Sequence, residues 1–360
     1  MVIHIVGNRP QFIKLSPVME ELRKQGCQQA VIHTGQHYDE NMSGIFFEEL
    51  GIPQPDRNLA VGSGTHAEMT GKAMIGIEKA LMEFHAACVV LYGDTDSTLA
   101  GALAAVKLGI PIVHVEAGIR TGKLANPEES NRIVTDHLSD LLFCPDRESM
   151  KNLDQEGIQK GVFLSGDVMY DTFLRNRSRD RGAALEKYGL EDDGYVLMTW
   201  HRQENTCCRE QMERIIQFLG RIGNQVVYPV HPRTKAKLEE FRLMEDLEAL
   251  PNVKLLKPLG YSDMAGLMSH AHMILTDSGG VSKESYFAGT RCIFMADLNL
   301  WPDLLRTNWI TKLDVGSGQS IDQALALIAA PKGNGGERPE FYGAGDASVK
   351  IAKQILKKYF

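Results

Sequence analysis

Short apolar runs rich in β-branched residues alternate with amphipathic stretches along nearly the whole chain. They predict strands at residues 2–6, 30–34, 88–92, 111–115, 141–144 and 162–164, then a second series at 195–199, 225–230, 253–256, 273–276, 291–295 and 310–313. Between them the apolar spacing is helical. Met69, Ala73, Ile77, Ala80 and Phe84, for example, form one stripe that reads as a core face, a dimer contact being the lesser alternative. Strand alternating with helix gives parallel sheets covered on both faces, and two sets of them give two doubly wound α/β domains. We assign residues 1–170 to the first and 171–345 to the second. Residues 346–360 form a last helix with Ile351, Ile355, Leu356 and Tyr359 on one side, expected to dock back on the first domain. The charge-rich piece 175–193 reads as the hinge, and the glycine-rich 331–346 as a loose connection.

The length of 360 residues agrees with two domains that each bury a core. A formal charge of −7 with no basic run argues against a nucleic-acid partner. The apolar run 2–6 stops at Gly7-Asn-Arg-Pro10, too soon for a secretory signal, and no stretch approaches the roughly 18 apolar residues of a membrane span. Six cysteines without CxxC or Cys/His spacing indicate neither a disulfide framework nor a metal site, so a reducing cytoplasm is the expected setting. Asn8-Arg-Pro10 breaks any glycine fingerprint after the first strand, and no dinucleotide cofactor is expected.

The candidate chemistry lies just past strand ends, where open α/β sheets bind ligands. Thr276-Asp-Ser-Gly-Gly280 joins a strand to a helix, so Ser278, Gly279 and Gly280 offer converging amides and a helix N-terminus to a phosphate or diphosphate. Glu284, further along that helix, suits the vicinal hydroxyls of a ribose; together they suggest a nucleotide. A Gly-Gly turn capping an ordinary helix fits the local sequence equally well. Arg9 and Lys14 follow the first strand within reach of a diphosphate, with a solvated basic pair as the plain alternative. Asp94, Glu116 and Glu128 follow neighbouring segments, and three convergent carboxylates repel, which would supply an acid and a base near neutral pH. Pro127-Glu-Glu129 is also a sound helix start in its own right. In the second half His201, Arg202 and Glu204 follow one strand and His231 another. Two sheets facing a cleft, one bearing carboxylates and the other a phosphate nest, favour an enzyme over a passive binder.

Gly7-Asn-Arg-Pro-Gln-Phe-Ile-Lys14, Thr34-Gly-Gln-His37, Gly93-Asp-Thr95, His114-Val-Glu-Ala-Gly118, Pro127-Glu-Glu129 with Asn131-Arg132, Gly166-Asp-Val168, His201-Arg-Gln-Glu-Asn205, His231-Pro232, Pro258-Leu-Gly-Tyr261 and Thr276-Asp-Ser-Gly-Gly280 together resemble the non-hydrolysing UDP-N-acetylglucosamine 2-epimerases. Pro-Gln-Phe-Ile-Lys14, the short loop between Glu116 and Glu128, Gly-Asp-Val-Met169, Lys283-Glu284 and Phe341-Tyr-Gly343 look most like the branch acting on UDP-2,3-diacetamido-2,3-dideoxyglucuronate. The resemblance implies a glycosyltransferase-B-type pairing of the two Rossmann-like domains, a UDP-sugar substrate and a homodimer. It also implies inversion at C2 by loss and re-addition of UDP. Asp94, Glu116, Glu128 and His201 would be catalytic, with Arg9, Lys14, Gln36, His37, Arg120, Arg132, Glu204, His231, Tyr261, Ser278, Gly279, Gly280 and Glu284 binding substrate.

The chain departs from that family at two places. Ala296-Asp-Leu-Asn-Leu-Trp301 stands where both branches usually carry an arginine and a Thr-Glu pair, and no arginine stands near Ala125, where the uronate branch has one. Asp39 also replaces a common glutamine beside the Gln-His motif. The choice between the two sugars stays open. A glycosyltransferase of the same architecture, needing one base only, and an inactive UDP-sugar binder, kept open by Ala296 and Leu300, are the competing readings.

Overall fold

The computed structural model describes residues 1–35, 47, 49–122, 124, 126–180, 182–296, 301–333, 336 and 338–360. The chain divides into two compact units, Met1–Thr172 with Glu340–Phe360, and Phe173–Pro339. The first holds β1 (Val2–Val6), β2 (Gln29–His33), β3 (Arg57–Asn58), β4 (Cys88–Tyr92), β5 (Ile112–Val115), β6 (Leu141–Cys144) and β7 (Val162–Leu164), in the order β3-β2-β1-β4-β5-β6-β7. The second holds β8 (Tyr195–Thr199), β9 (Gln225–Pro229), β10 (Val253–Leu256), β11 (Met273–Thr276), β12 (Cys292–Phe294) and β13 (Ile310–Lys312), ordered β10-β9-β8-β11-β12-β13. The pairings in both sheets are parallel, for instance Val2 opposite Gln29 and Cys88, and Met273 opposite Val196. Strand order reverses between β1 and β4 and again between β8 and β11, and such switch points are where strand-end residues gather. Among the described residues no helix is long and apolar enough to cross a membrane.

All twelve expected strands are present, some shifted by a residue or two at an end. The two-residue edge strand β3 was not expected: it is exposed and has no apolar pattern to reveal it. Two assignments change. Residues 175–193, read as a hinge, lie in the second unit and carry the helix end at Asp180 and the helix Ala183–Tyr188, and the unit boundary falls inside the helix Val168–Asp180. Residues 340–345 group with the first unit, where the Tyr342 carbonyl accepts from the Asp167 amide at 3.0 Å and lies so close to Gly166 that a Cβ there would meet it at 2.7 Å. The last helix, Ala347–Tyr359, also belongs to the first unit, burying Ile351, Ala352 and Ile355 and packing on the helix Arg9–Lys24. Its start is held by buried Asp171, which accepts from the Ala347 and Ser348 amides and the Ser348 hydroxyl at 3.2, 2.7 and 2.6 Å.

Apolar residues of β1, β2, β4 and β5 form the first unit's core with Ala73, Ile77, Ala80 and Leu81 of the helix His66–Phe84, so the stripe read from sequence faces inward there. His4 sits in that sheet, fully buried. Its Nε2 meets Gln29 Oε1 and its Nδ1 the Tyr92 hydroxyl, each at 2.9 Å, a setting that suits the neutral ring. Burial pulls it down to about 4, with the Gln29 contact opposing. A base whose folded value lies below its unfolded value of about 6.5 contributes stability that is complete above pH 6.5 and is lost as pH falls through 4. That loss is about 3 kcal/mol for His4. Urea unfolding followed from pH 7 to pH 4 should therefore fall less steeply in His4→Asn than in the native chain, and equal slopes would acquit His4.

Candidate active site

In the first unit the C-terminal ends of β1, β4 and β5 lie side by side. The turn after β1 begins the helix Arg9–Lys24, with Asn8 as cap and Gln11 closing the capping box. Gln11 does more than cap. Its Oε1 accepts from the Gly7 amide at 2.6 Å while its Nε2 donates to the Tyr92 carbonyl and the Thr98 hydroxyl at 2.8 and 2.9 Å, which ties the β1 turn to the β4 turn. Gly7 is required there, because a Cβ would meet Ser97 Oγ at 2.2 Å and Thr34 Oγ1 at 2.4 Å.

This frame brings Lys14 from the helix onto Glu116 from the end of β5, as an ion pair whose side chains are 8% and 10% exposed. Glu116 has φ +73°, a left-handed backbone that costs a non-glycine residue about 1–3 kcal/mol. Asp94, after β4, pairs with Arg132, which also reaches Glu129 at 3.0 Å. Asn131 donates to the Asp94 carbonyl at 2.9 Å. Burial lowers the Arg132 guanidinium, yet Asp94, Glu116 and Glu129 together raise it above its usual value. The carboxylates are thus interleaved with cations, not set bare against one another as the sequence implied. Glu128 is half-buried in the first turn of the helix Pro127–Leu138, its amide on Asn126 Oδ1 at 3.3 Å. Its neighbour Glu129 is turned onto the Thr121 and Gly122 amides at 2.9–3.0 Å and so fixes the preceding loop. Arg9 is half-buried at the helix start. Arg120, expected to bind substrate, pairs with Asp136 at 2.8 Å and with Glu156 through Nε and Nη2 at 2.6 and 2.8 Å.

The second unit gathers its residues at the ends of β8, β9, β10 and β11. Ser278 caps the helix Gly279–Ala288, its Oγ accepting from the Val281 amide at 3.4 Å and its own amide donating to Thr276 Oγ1 at 2.9 Å. Asp277, fully buried, accepts from the His201 and Arg202 amides at 2.9 and 2.8 Å and from Asn205 Nδ2 at 3.2 Å. The β8 loop is thereby fastened to the β11 turn. His201 stacks on His231, the cap of the helix Pro232–Glu240, at 5.1 Å between ring centroids. Burial lowers His201 below its ordinary value, Asp277 pulling against this and Arg202 and Arg233 adding to it, so the ring is neutral at pH 7. Glu204 is exposed and pairs with Arg202 at 3.2 Å. Tyr261 donates its hydroxyl to Glu284 at 2.8 Å, and both are buried.

Three contributors escaped the sequence reading. Asp277 stood inside the motif, but its partners lie more than 70 residues away. Trp301 stands in the loop where the family's arginine was missed; its Nε1 donates to the Gly279 carbonyl at 2.8 Å and its ring lies 4.2 Å from the buried Lys283 ammonium. The third is the His114–Asp136 pair. The expectations at Gln36, His37, Asp39, Ala125 and Leu300 lie outside the described residues. Among the described residues no cluster of histidine, cysteine or acidic side chains is arranged to hold a metal ion.

The sequence matches the family model described as UDP-N-acetylglucosamine 2-epimerase over residues 20–356. It is 42% identical over 357 residues to a UDP-N-acetylglucosamine 2-epimerase homolog of Methanococcus maripaludis, covering 98% of this chain and 99% of that one. It is 40% identical over 364 residues to the UDP-2,3-diacetamido-2,3-dideoxy-D-glucuronate 2-epimerase of Pseudomonas aeruginosa, covering 99% of each. Among solved structures, the UDP-GlcNAc 2-epimerase of Methanocaldococcus jannaschii in complex with UDP-GlcNAc and UDP superposes with a TM-score of 0.89 at 35% identity over 99% of both chains. The interleaved acids and cations, the Ser-Gly-Gly helix start and these end-to-end likenesses agree: the chain belongs to the UDP-N-acetylglucosamine 2-epimerase family.

Proposed function

We propose that the protein is a non-hydrolysing UDP-sugar 2-epimerase that inverts C2 of a UDP-N-acetylhexosamine by eliminating and re-adding UDP. The C2 proton is not adjacent to a carbonyl, so its direct removal would leave an unstabilised carbanion. Elimination avoids this: the C2–H and C1–O bonds break, a C1–C2 double bond forms, UDP leaves with the electron pair, and a base takes the proton. Return of the proton to the opposite face and of UDP to C1 completes the inversion. The observation that carries this reading is the pair of carboxylates, Asp94 and Glu116, each matched to a cation at neighbouring strand ends. Glu128 would complete the acid–base set. The Gly279 and Gly280 amides with the Ser278 hydroxyl and neutral His201 would hold the diphosphate, Glu284 with Tyr261 the ribose, and Arg9 the leaving charge. A homodimer in the cytoplasm, without metal or organic cofactor, is the form the resemblance implies.

Between the two sugars, the occupied guanidinium of Arg120 favours an uncharged one. Its partners Asp136 and Glu156 already neutralise it, which leaves it unsuited to a sugar carboxylate, so we assign UDP-GlcNAc first and the diacetamido uronate second. Incubation with each UDP-sugar in D2O, followed by NMR, should give the manno epimer with deuterium at C2. An epimer free of solvent label would exclude the elimination route. Free UDP appearing only with an added acceptor would favour a glycosyltransferase.

A further inference from the structure

We propose that His114 is an imidazolium ion that clamps together the turns bearing Asp94 and Glu116, and so acts as a positioning residue for the epimerisation. The ring is fully buried on β5, two residues before Glu116. Nδ1 lies 2.6 Å from Asp136 Oδ1 and Nε2 lies 2.7 Å from the Gly93 carbonyl oxygen, the residue before Asp94. A carbonyl oxygen only accepts, so Nε2 carries a hydrogen. Asp136 would have to be a neutral acid for Nδ1 to be bare. Its other oxygen, however, accepts from the Gly118 amide at 3.1 Å and from Arg120 at 2.8 Å, contacts that hold a carboxylate in its charged form. Burial raises the Asp136 carboxyl, but His114 and Arg120 outweigh it and hold it below the usual range. Nδ1 therefore donates as well, and the ring is charged.

The charges around it close on this assignment. From the core outward the row runs His114, Asp136, Arg120, Glu156; with Asp136 ionised, the imidazolium gives this buried carboxylate a cation on each side, and Glu156 closes the row at the surface. The nearby Cys144 thiol is pushed up by burial first and by Asp136 and Asp146 next, so it stays uncharged. The Gly93 amide meanwhile donates to the Val115 carbonyl at 3.0 Å, and the Glu116 amide to the Phe143 carbonyl at 3.1 Å. His114 is thus the side chain that grips the β4 turn from β5, and through Asp136 it grips the Gly118 end of the Glu116 turn. A displacement of about 1 Å at an acid–base group can cost roughly a hundredfold in rate.

The kinetic half of this assignment rests on the epimerase reading; the protonation half does not. In ¹⁵N-histidine-labelled protein, the ring whose signal is absent from His114→Gln should carry hydrogens on both nitrogens. His114→Gln should keep its fold by circular dichroism and lose kcat by about 10–100-fold with KM within about twofold. If that variant does not fold, Asp136→Asn is expected to show the same split. A His114 nitrogen without hydrogen, a folded variant with unchanged kcat, or a loss confined to KM would each overturn the proposal. A native chain that epimerises neither UDP-sugar would strike the functional reading, while the nitrogen spectrum would still judge the imidazolium.

Discussion

Replacing Glu116 by glutamine is expected to lower kcat for epimerisation by about 10²–10⁴-fold, the range of one acid–base group, with UDP bound almost as well as before. The amide keeps the shape of the carboxylate and can still meet Lys14, so the strained φ of +73° and the end of β5 have no reason to rearrange. What is lost is the ability to take a proton. The proposed diphosphate and ribose groups, Ser278–Gly280 and Glu284, belong to the other unit and are untouched by the substitution. Steady-state rates by NMR and UDP affinity by calorimetry separate the two effects. Wild-type turnover in this variant would remove Glu116 from the chemistry, and equal losses of rate and UDP affinity would recast it as a binding residue.

The Lys14–Glu116 pair sharpens the expectation. An ammonium against a mostly buried carboxylate favours the ionised form, the form a base needs. Asp94 has its own guanidinium in Arg132. Each acid thus has one cation, Glu116 at 10% exposure and Asp94 at 29%, and we expect their tasks to be divided by the face of the sugar each one meets. In D2O, Glu116→Gln should block solvent exchange at C2 starting from one epimer more than from the other.

Much of this was legible before any coordinates. Apolar runs read as strands because both faces of a parallel sheet are buried, so β1, β4 and β8 carry almost no polar residue to blur them. The errors at strand ends have a cause of the same kind. Gln29 opens β2 although it is polar, because its side chain serves His4 from the neighbouring strand, a partner no local pattern reveals. The supposed hinge misled through composition: Arg177 and Arg179 are exposed near the helix end and Asp180 accepts from the Gly182 and Ala184 amides of the next turn, while Phe173 of the same helix is fully buried. At the candidate site, the rule that ligands meet strand ends names residues but cannot name their partners. Arg120 stands out for its place after a strand end and for the family resemblance; its partners Asp136 and Glu156 are 16 and 36 positions away, beyond the reach of any local pattern.

The second large effect is expected at Asp277, in the second unit. Asp277→Ala would leave two half-buried backbone amides, those of His201 and Arg202, without their shared acceptor, while Asn205 Nδ2 keeps the Met295 carbonyl at 2.8 Å. Each buried donor left unmet costs about 1–3 kcal/mol, so about 2–4 kcal/mol is expected once the loop relaxes toward water. The loop from His201 to Asn205 would lose the amide bonds that fasten it to the Ser278 turn and, among the described residues, keep only Arg202 Nε on the backbone carbonyl of residue 277, at 2.7 Å in the native chain. UDP affinity should drop by about 10–100-fold, a tenfold change being about 1.4 kcal/mol, and the melting temperature should fall with it. His201 would stay neutral, because burial and the Arg202 and Arg233 charges already hold it down and the one group pulling it up is Asp277. The affinity loss would thus stem from geometry, with no change in the histidine's charge. Asp277→Asn, which keeps one acceptor oxygen, should show an intermediate loss. Calorimetry with UDP and thermal melts decide the matter, and an alanine variant with native affinity would show that the Ser278 turn holds its shape without the β8 loop.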